Sequence, residues 1–424
     1  MTWVFVVFAA ALLGYAVVSR RLSGSIVTAP MVFLAAGIAS GVAIVDLQLA
    51  PGAAGLELLA EATLTVVLFS DASRIDLARL RLGRALPVRL LGIGLPLTIV
   101  LGALLALVVA PGFLVLEAAI VAICLAPTDA ALGQAVVSDE RIPVRIRQGL
   151  NVESGLNDGI CVPLLVIALA LASSEAGEVT VGDALRIVVE QIGWGVAAGV
   201  GAGALGAILV RSAIGSGSTG KAGARLAATG TALLAYGLAV ALGGSAFIAA
   251  FVAGLLYGIL LRAAAHDPDE STGFVEDLGA LLGAATFLIF GAAVVVPYMG
   301  QVGPSHLILA ILFLTVVRMA PVALAMVGSG AGPVTIGFVG WFGPRGLASI
   351  VFAIIVLHDG AELPMARDII LTIALTVLIS IVAHGLTAGP LARRYATWFD
   401  ATRSGRPGLM EGADVPDQRP RSQM

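Results

Sequence analysis

Two short polar stretches interrupt an apolar sequence and carry residue types that could bind a cation. One is PTD at residues 127–129, within CLAPTDAALG, and the other spans residues 153–158, within NVESGLNDG. Because side chains four residues apart share one face of a helix, Ser154 lies beneath Asp158 on a single stripe. A hydroxyl and a carboxylate are oxygen ligands of the kind that a small hard cation prefers. The second stretch therefore predicts a cation site on this stripe.

Glu153 and Asn157 share the neighbouring stripe of the same predicted helix. A charge at the centre of a bilayer costs about 2.5–3.5 kcal/mol, so a buried acid is expected to have a cationic partner. Arg318 and Arg345 both lie within other apolar runs, and Arg345 is the preferred candidate. The sequence predicts a Glu153–Arg345 ion pair with a structural role. For any single buried charge, a structural salt bridge explains the residue as well as a transport role does.

Backbone breaks are predicted beside a buried acid, Asp129, and beside a buried base, Arg345. Pro127 cannot donate a backbone hydrogen bond, so carbonyl groups near it are free to face a cavity. Gly343 and Pro344 flank Arg345 in GWFGPRGLAS and predict a second break. Broken helices at corresponding places in two halves of a chain are typical of the central site of a secondary transporter. The two broken spans are an odd number of crossings apart, as an inverted repeat requires.

The composition places these residues in a membrane. The chain has 424 residues, of which 59% are hydrophobic and 12% charged, and its mean hydropathy is +1.02. Apolar runs such as those at 98–110 and 370–386 are continuous rather than alternating, which favours helices over barrel strands. The predicted fold class is an all-α polytopic membrane protein. With about 20 apolar residues per crossing, about thirteen spans are predicted near 2–19, 27–45, 54–72, 88–110, 113–137, 149–172, 183–211, 224–242, 245–262, 275–298, 304–327, 332–358 and 366–390.

The distribution of arginine between the loops predicts the orientation. Basic residues follow the odd-numbered spans, and acids or few charges follow the even-numbered ones, so the positive-inside rule places the amino terminus outside and the carboxyl terminus in the cytoplasm. The basic loops include Arg20, Arg21, Arg74, Arg79, Arg81, Arg84, Arg89, Arg141, Arg145 and Arg147, and the acidic ones Asp46, Glu175 and Glu178. Residues 1–397 are predicted to form the transmembrane domain, and the polar residues 398–424 a short disordered cytoplasmic tail.

Three segments together resemble the signature segments of one transporter family. APTDAALG, RIRQGLNVESGLNDG and GWFGPRGLAS occur in the order found in the monovalent cation:proton antiporters of the NhaP and eukaryotic sodium/proton exchanger type. The resemblance covers about residues 1–395. It implies two inverted six-helix repeats that form a core domain and a dimerisation domain, with two crossed discontinuous helices in the core. It also implies a homodimer in the cell (plasma or inner) membrane.

The resemblance assigns roles to particular residues. It implies that Asp158 binds the cation or the proton in turn, with Thr128, Ser154 and Asp129 at or near the ion. Asp129 would also stabilise the broken helices. Glu153 and Arg345 match the interhelical ion pair of the family, and Asn157 matches a position where the amide accompanies electroneutral exchange of one cation for one proton. The implied function is exchange of Na⁺ or Li⁺ for H⁺.

Several expectations remain open at this stage. Asp71, at the end of the third span, either completes the ion site or caps its helix beside Arg74, and the second possibility is slightly favoured. K⁺/H⁺ exchange on the same fold is an alternative, as is a cation channel or ion sensor. No cofactor, nucleic acid or small organic substrate is expected, and the protein is not expected to be an enzyme. Cys124 and Cys161 are expected to be core residues rather than a disulfide.

Overall fold

The computed structural model describes residues 2–22, 26–43, 54–76, 85–129, 132–175, 180–264, 266–360, 363–403 and 410–412. Within these ranges all regular secondary structure is helical, as predicted. Five of the loop charges used to predict the orientation lie outside the described residues, namely Asp46, Arg79, Arg81, Arg84 and Glu178.

Most of the helices coincide with predicted spans. The first seven are α1 (Thr2–Leu22), α2 (Ala29–Ala43), α3 (Ala54–Ser73), α4 (Ala85–Val109), α5 (Val115–Cys124), α6 (Gln134–Val137) and α7 (Val144–Glu175). The next four are α8 (Val181–Gly215), α9 (Lys221–Ala241), α10 (Ala246–Ala263) and α11 (Pro268–Gln301). The last four are α12 (Pro304–Ala325), α13 (Pro333–Trp341), α14 (Leu347–Asp359) and α15 (Ala366–Arg403).

Length and composition qualify nine helices of the described residues as membrane spans, and three shorter apolar helices accompany them. The predicted fifth span, 113–137, is divided into α5 and α6, and the predicted twelfth span, 332–358, is divided into α13 and α14. Both breaks fall where proline was expected to interrupt the helix. The total of about thirteen crossings stays a prediction based on the length of the apolar runs.

The outer surface of the helices is strongly apolar. Phe5 of α1 is 71% exposed and Val108 of α4 is 76% exposed, while polar side chains such as Ser154 and Asn157 are buried. Exposed apolar patches of this extent are typical of surfaces that face lipid or a partner protein. The two cysteines, Cys124 and Cys161, are buried and free, in agreement with their expected role as core residues.

The first of two compact units comprises Met1–Glu57, Leu82–Asn157 and Ala284–Met424. Within it α15 packs against α12 and α14, and α4 packs against α5. Small residues allow α2 to approach α11 closely: Gly37 lies against the carbonyl group of Leu288, and Gly291 against that of Leu34. Close approach at glycine is a common way for membrane helices to gain packing energy.

The second unit comprises Leu58–Arg81 and Asp158–Gly283. Its helices α8 and α10 pack along a row of glycines, Gly195, Gly199 and Gly203, which face Ser245, Ala249 and Ala253. Buried polar contacts add to this packing. The hydroxyl of Tyr236 donates to Glu61 at 2.6 Å.

Part of the tail that was predicted to be disordered, 398–424, is helical. Residues 398–403 continue α15, and Met410–Gly412 form a 3₁₀ turn, while 404–409 and 413–424 lie outside the described residues. Glu411 of this turn is only 2% exposed. Its carboxylate accepts a hydrogen bond from the Gly332 amide at 2.8 Å and another from the Thr335 hydroxyl, at the beginning of α13.

Candidate ion-translocation site

The first helix break, between α5 and α6, leaves backbone carbonyl groups without helical partners. Side chains from α14 and from the second break, between α13 and α14, donate hydrogen bonds to them. α5 ends at Cys124, because Pro127 three residues later cannot continue the helical hydrogen bonds. The Cys124 carbonyl accepts from the Ser349 hydroxyl at 2.7 Å, and the Leu125 carbonyl accepts from Arg345 Nε at 2.7 Å. The backbone of this break therefore depends on donors that are distant in the sequence.

Asp129 joins the two breaks directly. Its amide donates to the Pro344 carbonyl at 2.8 Å, and its Oδ2 accepts from the Leu347 amide at 2.9 Å. A carboxylate in this position caps α14 and meets the positive end of the helix dipole. A methyl group on Gly346 would collide with this carboxylate, so glycine is required there for close approach. These contacts connect the two breaks through Asp129, and its role in transport stays a prediction.

The polar stripes of α7 meet the first break at Thr128. Ser154 donates to the Thr128 carbonyl at 2.6 Å, and Asn157 Nδ2 donates to the Thr128 hydroxyl at 2.8 Å. The buried Oδ1 of Asn157 has no hydrogen-bond partner among the residues that the structure describes. α7 continues to Asp158, which is 8% exposed and lies one helical turn beyond Ser154 on the same helix.

The partner of Glu153 differs from the prediction. Both of its carboxylate oxygens accept from Arg318 of α12, at 2.5 Å from Nη1 and 2.9 Å from Nη2, and both side chains are buried. The predicted Glu153–Arg345 ion pair is wrong in its second member. Arg318 also lies against Gly343 of the second break, where a methyl group would collide with it. Both arginines are buried beside that break, and the sequence alone does not indicate which one faces α7.

Arg345 has a different structural task. It is fully buried. Its guanidinium donates to the carbonyl groups of Leu125, in the first break, and Gly343, in the second. Its backbone amide donates to the Ser380 hydroxyl of α15 at 2.6 Å. Carbonyl dipoles at two helix breaks thus stabilise its positive charge, because helix termini leave such groups without intrahelical partners.

Asp71 lies in the last turn of α3, in the second unit. Arg74, beside which it was expected to act as a cap, forms a bidentate pair with Glu276 at 3.0 and 2.6 Å. Asp269 lies 3.8 Å from the same arginine. The side chain of Arg74 is therefore engaged by acids of α11, and an ion-binding role for Asp71 stays a prediction.

Two further buried polar residues, Ser380 and His384, were not identified as parts of the site from the sequence. They lie four residues apart on α15, and their contacts end at the second break. The spacing that made Ser154 and Asp158 conspicuous also occurs here. A polar pair at this interval within the apolar run 370–386 was the available signal.

Comparison with known proteins identifies the family. The model of the sodium/hydrogen exchanger transmembrane family matches residues 7–394. The fold is similar to the sodium proton antiporter MjNhaP1 from Methanocaldococcus jannaschii at pH 8, with a TM-score of 0.73 and 20% identity, over 91% of this chain and 99% of that one. A three-dimensional electron-microscopy map of the same protein gives 0.70 and 20%, over 96% and 97%.

The resemblance found in the three sequence segments is thereby confirmed. The family match spans nearly all of the predicted transmembrane domain, and the structural likeness extends over the same helices. The chain belongs to the sodium/hydrogen exchanger family and is a cation/proton antiporter of the membrane, not an enzyme.

Proposed function

We propose that this antiporter exchanges Na⁺ or Li⁺ for H⁺ with a stoichiometry of one to one, by competition for the carboxylate of Asp158. The observation that carries the proposal is the environment of this residue on α7. Asp158 is buried, and it is the only ionisable residue in the stretch 154–158. The preceding Asn157 is a neutral amide, so that a single charge at this position is neutralised by a single cation or a single proton.

Coupling follows from the cost of moving a bare charge through an apolar environment. An unpaired carboxylate is expensive to bury, whereas a carboxylate that holds a proton or a cation is neutral overall. Occupied sites then change their exposure between the two sides of the membrane, and the empty anion does not. In the proposed cycle, a core domain moves as a rigid body against a dimerisation domain, as in other transporters built from inverted repeats.

The groups around Thr128 are proposed as the remaining ligands of the cation. The Thr128 hydroxyl oxygen accepts from Asn157 Nδ2 and is proposed as one ligand. Ser154 supplies a hydroxyl one turn before Asp158. The unsatisfied Oδ1 of Asn157 supports a polar ligand nearby, because a buried acceptor without a partner costs about 1–3 kcal/mol. Asp129 is proposed as an acid at or near the ion, and Asp71 of α3 remains a further candidate ligand.

The proposed setting is a homodimer in the lipid of the cell membrane. The amino terminus is assigned to the outside and the carboxyl terminus to the cytoplasm, because of the arginine distribution. Residues 1–397 form the antiporter domain in this proposal. An inverted repeat relates the spans that contain the two breaks, which support this arrangement through their contact at Asp129 and Pro344.

Purified protein in proteoliposomes tests the proposal. A Na⁺ or Li⁺ gradient is expected to drive a pH change in the lumen, without net current. Asp158→Asn should abolish this flux in a protein that remains monodisperse, while Glu140→Gln, the same chemical change on an exposed loop, should leave it intact. Flux driven by K⁺ but not by Na⁺ would assign the alternative cation. Cation current without coupled proton movement, or full activity of Asp158→Asn, contradicts the proposal.

A further inference from the structure

We propose that Ser380 and His384 of α15 are positioning residues that hold the second helix break in the form required for transport. Both side chains are buried in an apolar run of α15 that also contains the buried hydroxyls of Thr372 and Thr376. This inference rests on the proposed function, because it assigns the pair to the scaffold of the proposed ion site. Neither residue is proposed to bind the transported ion.

The two side chains form a hydrogen-bonded chain between the ends of the break. The Arg345 amide donates to Ser380 Oγ at 2.6 Å, and Ser380 Oγ lies 3.2 Å from His384 Nδ1. His384 Nε2 lies 3.0 Å from the Trp341 carbonyl, which can only accept, so Nε2 carries a proton.

The ring of His384 also contacts the backbone of Ser380. Its Nδ1 lies 3.0 Å from the Ser380 carbonyl oxygen and 3.2 Å from Ser380 Oγ. All the partners that the structure gives the ring are therefore oxygen atoms of neutral groups, on Ser380 and Trp341. Loss of either side chain disconnects the Arg345 amide from the Trp341 carbonyl.

The atoms held by this chain lie at the two ends of the helix break, where the Trp341 carbonyl also accepts from the Gly343 amide at 2.9 Å. Trp341 ends α13, so its carbonyl lies in the last turn, and the Arg345 amide lies just before α14. α15 adds two further contacts to the same residue. The indole of Trp341 stacks on His384 with ring centroids 5.0 Å apart, and its Nε1 donates to Thr387 Oγ1 at 3.0 Å.

The position of the Arg345 backbone decides where its side chain can reach. Its guanidinium donates to the Leu125 carbonyl in the first break, and the neighbouring Pro344 carbonyl accepts from Asp129. Displacement of residues 342–346 would therefore disturb both breaks at once. The Ser380–His384 pair thus acts on the ion site through Arg345 and Asp129.

Substitutions with a matched control test the pair. Ser380→Ala and His384→Leu each remove a link, and His384→Gln retains an N–H donor that can reach the Trp341 carbonyl. Thr376→Ala is the control, because Thr376 is a buried hydroxyl one turn earlier on α15 that bonds to its own helix at Thr372. The two disruptive variants are expected to raise the apparent KM for Na⁺ roughly tenfold, the equivalent of about one buried hydrogen bond. His384→Gln and Thr376→Ala should stay within about twofold of the wild type by the same scale.

Two further readouts separate this role from others. Hydrogen–deuterium exchange of residues 342–350 should rise in Ser380→Ala and His384→Leu but not in Thr376→Ala, a result that does not depend on which ion is transported. The pH profile of His384→Gln should match that of the wild type. Wild-type KM and exchange in both disruptive variants overturn the proposal, as does a displaced pH profile in His384→Gln, which would make the ring a proton carrier. Failure of the proposed function is distinct, since it appears as absent coupled flux in the wild type.

Discussion

Glu153 and Arg318 form a buried bidentate ion pair that joins α7 to α12, with N–O distances of 2.5 and 2.9 Å. Removal of one member leaves an uncompensated charge in an apolar interior. Arg318→Ala is therefore expected to lower the free energy of unfolding by about 3–5 kcal/mol, measured as reduced thermal stability and yield in detergent.

The pair itself is expected to be replaceable. The double variant Glu153→Leu, Arg318→Met exchanges it for apolar side chains and should recover much of the lost stability. Arg186→Ala is the control, because Arg186 forms an exposed pair with Glu190 and surface pairs contribute little. Normal thermal stability of Arg318→Ala alone would contradict the structural role of the pair.

The cap that Asp129 provides for α14 can be separated from its charge. Asp129→Asn retains an oxygen that accepts from the Leu347 amide, so the variant should unfold near the wild-type temperature. Asp129→Ala loses the cap and is expected to be less stable by about 0.5–2 kcal/mol. Thermal unfolding compares the two, and equal destabilisation would show that the charge, rather than the cap, stabilises the break. Loss of exchange in a stable Asp129→Asn variant would assign the charge to transport.

The amide of Asn157 is expected to keep exchange electroneutral. Asn157→Asp places a second acid beside Asp158, so that two charges are neutralised for each cycle. Currents on a solid-supported membrane should then report net charge movement during exchange. Asn157→Ala, which loses the bond to Thr128 without adding an acid, is the control and should give no current. A silent Asn157→Asp variant that still exchanges ions would contradict the assigned stoichiometry.

The glycine row of α8 should be sensitive to size at one position and not at its neighbour. A Cβ atom on Gly199 would lie 2.6 Å from the Ala249 carbonyl oxygen of α10, whereas one on Gly201 would meet no atom within 4 Å. Gly199→Leu is therefore expected to lower stability by about 1–3 kcal/mol through overpacking. Gly201→Leu, on the other side of the helix, should unfold at nearly the wild-type temperature. Similar losses in both variants would show that helix propensity, rather than packing, governs this segment.

Glu411 should stabilise the beginning of α13. Its carboxylate accepts from Gly332 and Thr335 in a buried environment, and hydrogen bonds to a charged group contribute about 1.5–3 kcal/mol each. Glu411→Ala, or deletion of residues 410–424, is expected to lower the unfolding temperature. Deletion of 413–424 alone keeps these contacts and should have little effect. Equal stability of the two truncated proteins would contradict a role for this turn.

Part of the architecture could be predicted because it depends on local properties of the chain. Continuous apolar runs close their backbone hydrogen bonds within one helix, so their length predicts helical membrane spans. The breaks followed from Pro127 and Pro344, since proline removes a donor wherever it stands. The stripe of Ser154 and Asp158 followed from helical periodicity. The identification of the family depended on the same segments.

The choice of partners depended on the tertiary structure. The sequence offered two buried arginines for Glu153, and in the structure its carboxylate pairs with Arg318. Ser380 likewise binds Arg345, and Glu411 binds Gly332, although these partners are distant in the sequence. Hydropathy and periodicity describe one helix at a time, whereas the pairing of charges depends on how helices are rotated and placed against one another. The sequence therefore determined which polar groups enter the membrane, and the tertiary structure decided which of them neutralise each other.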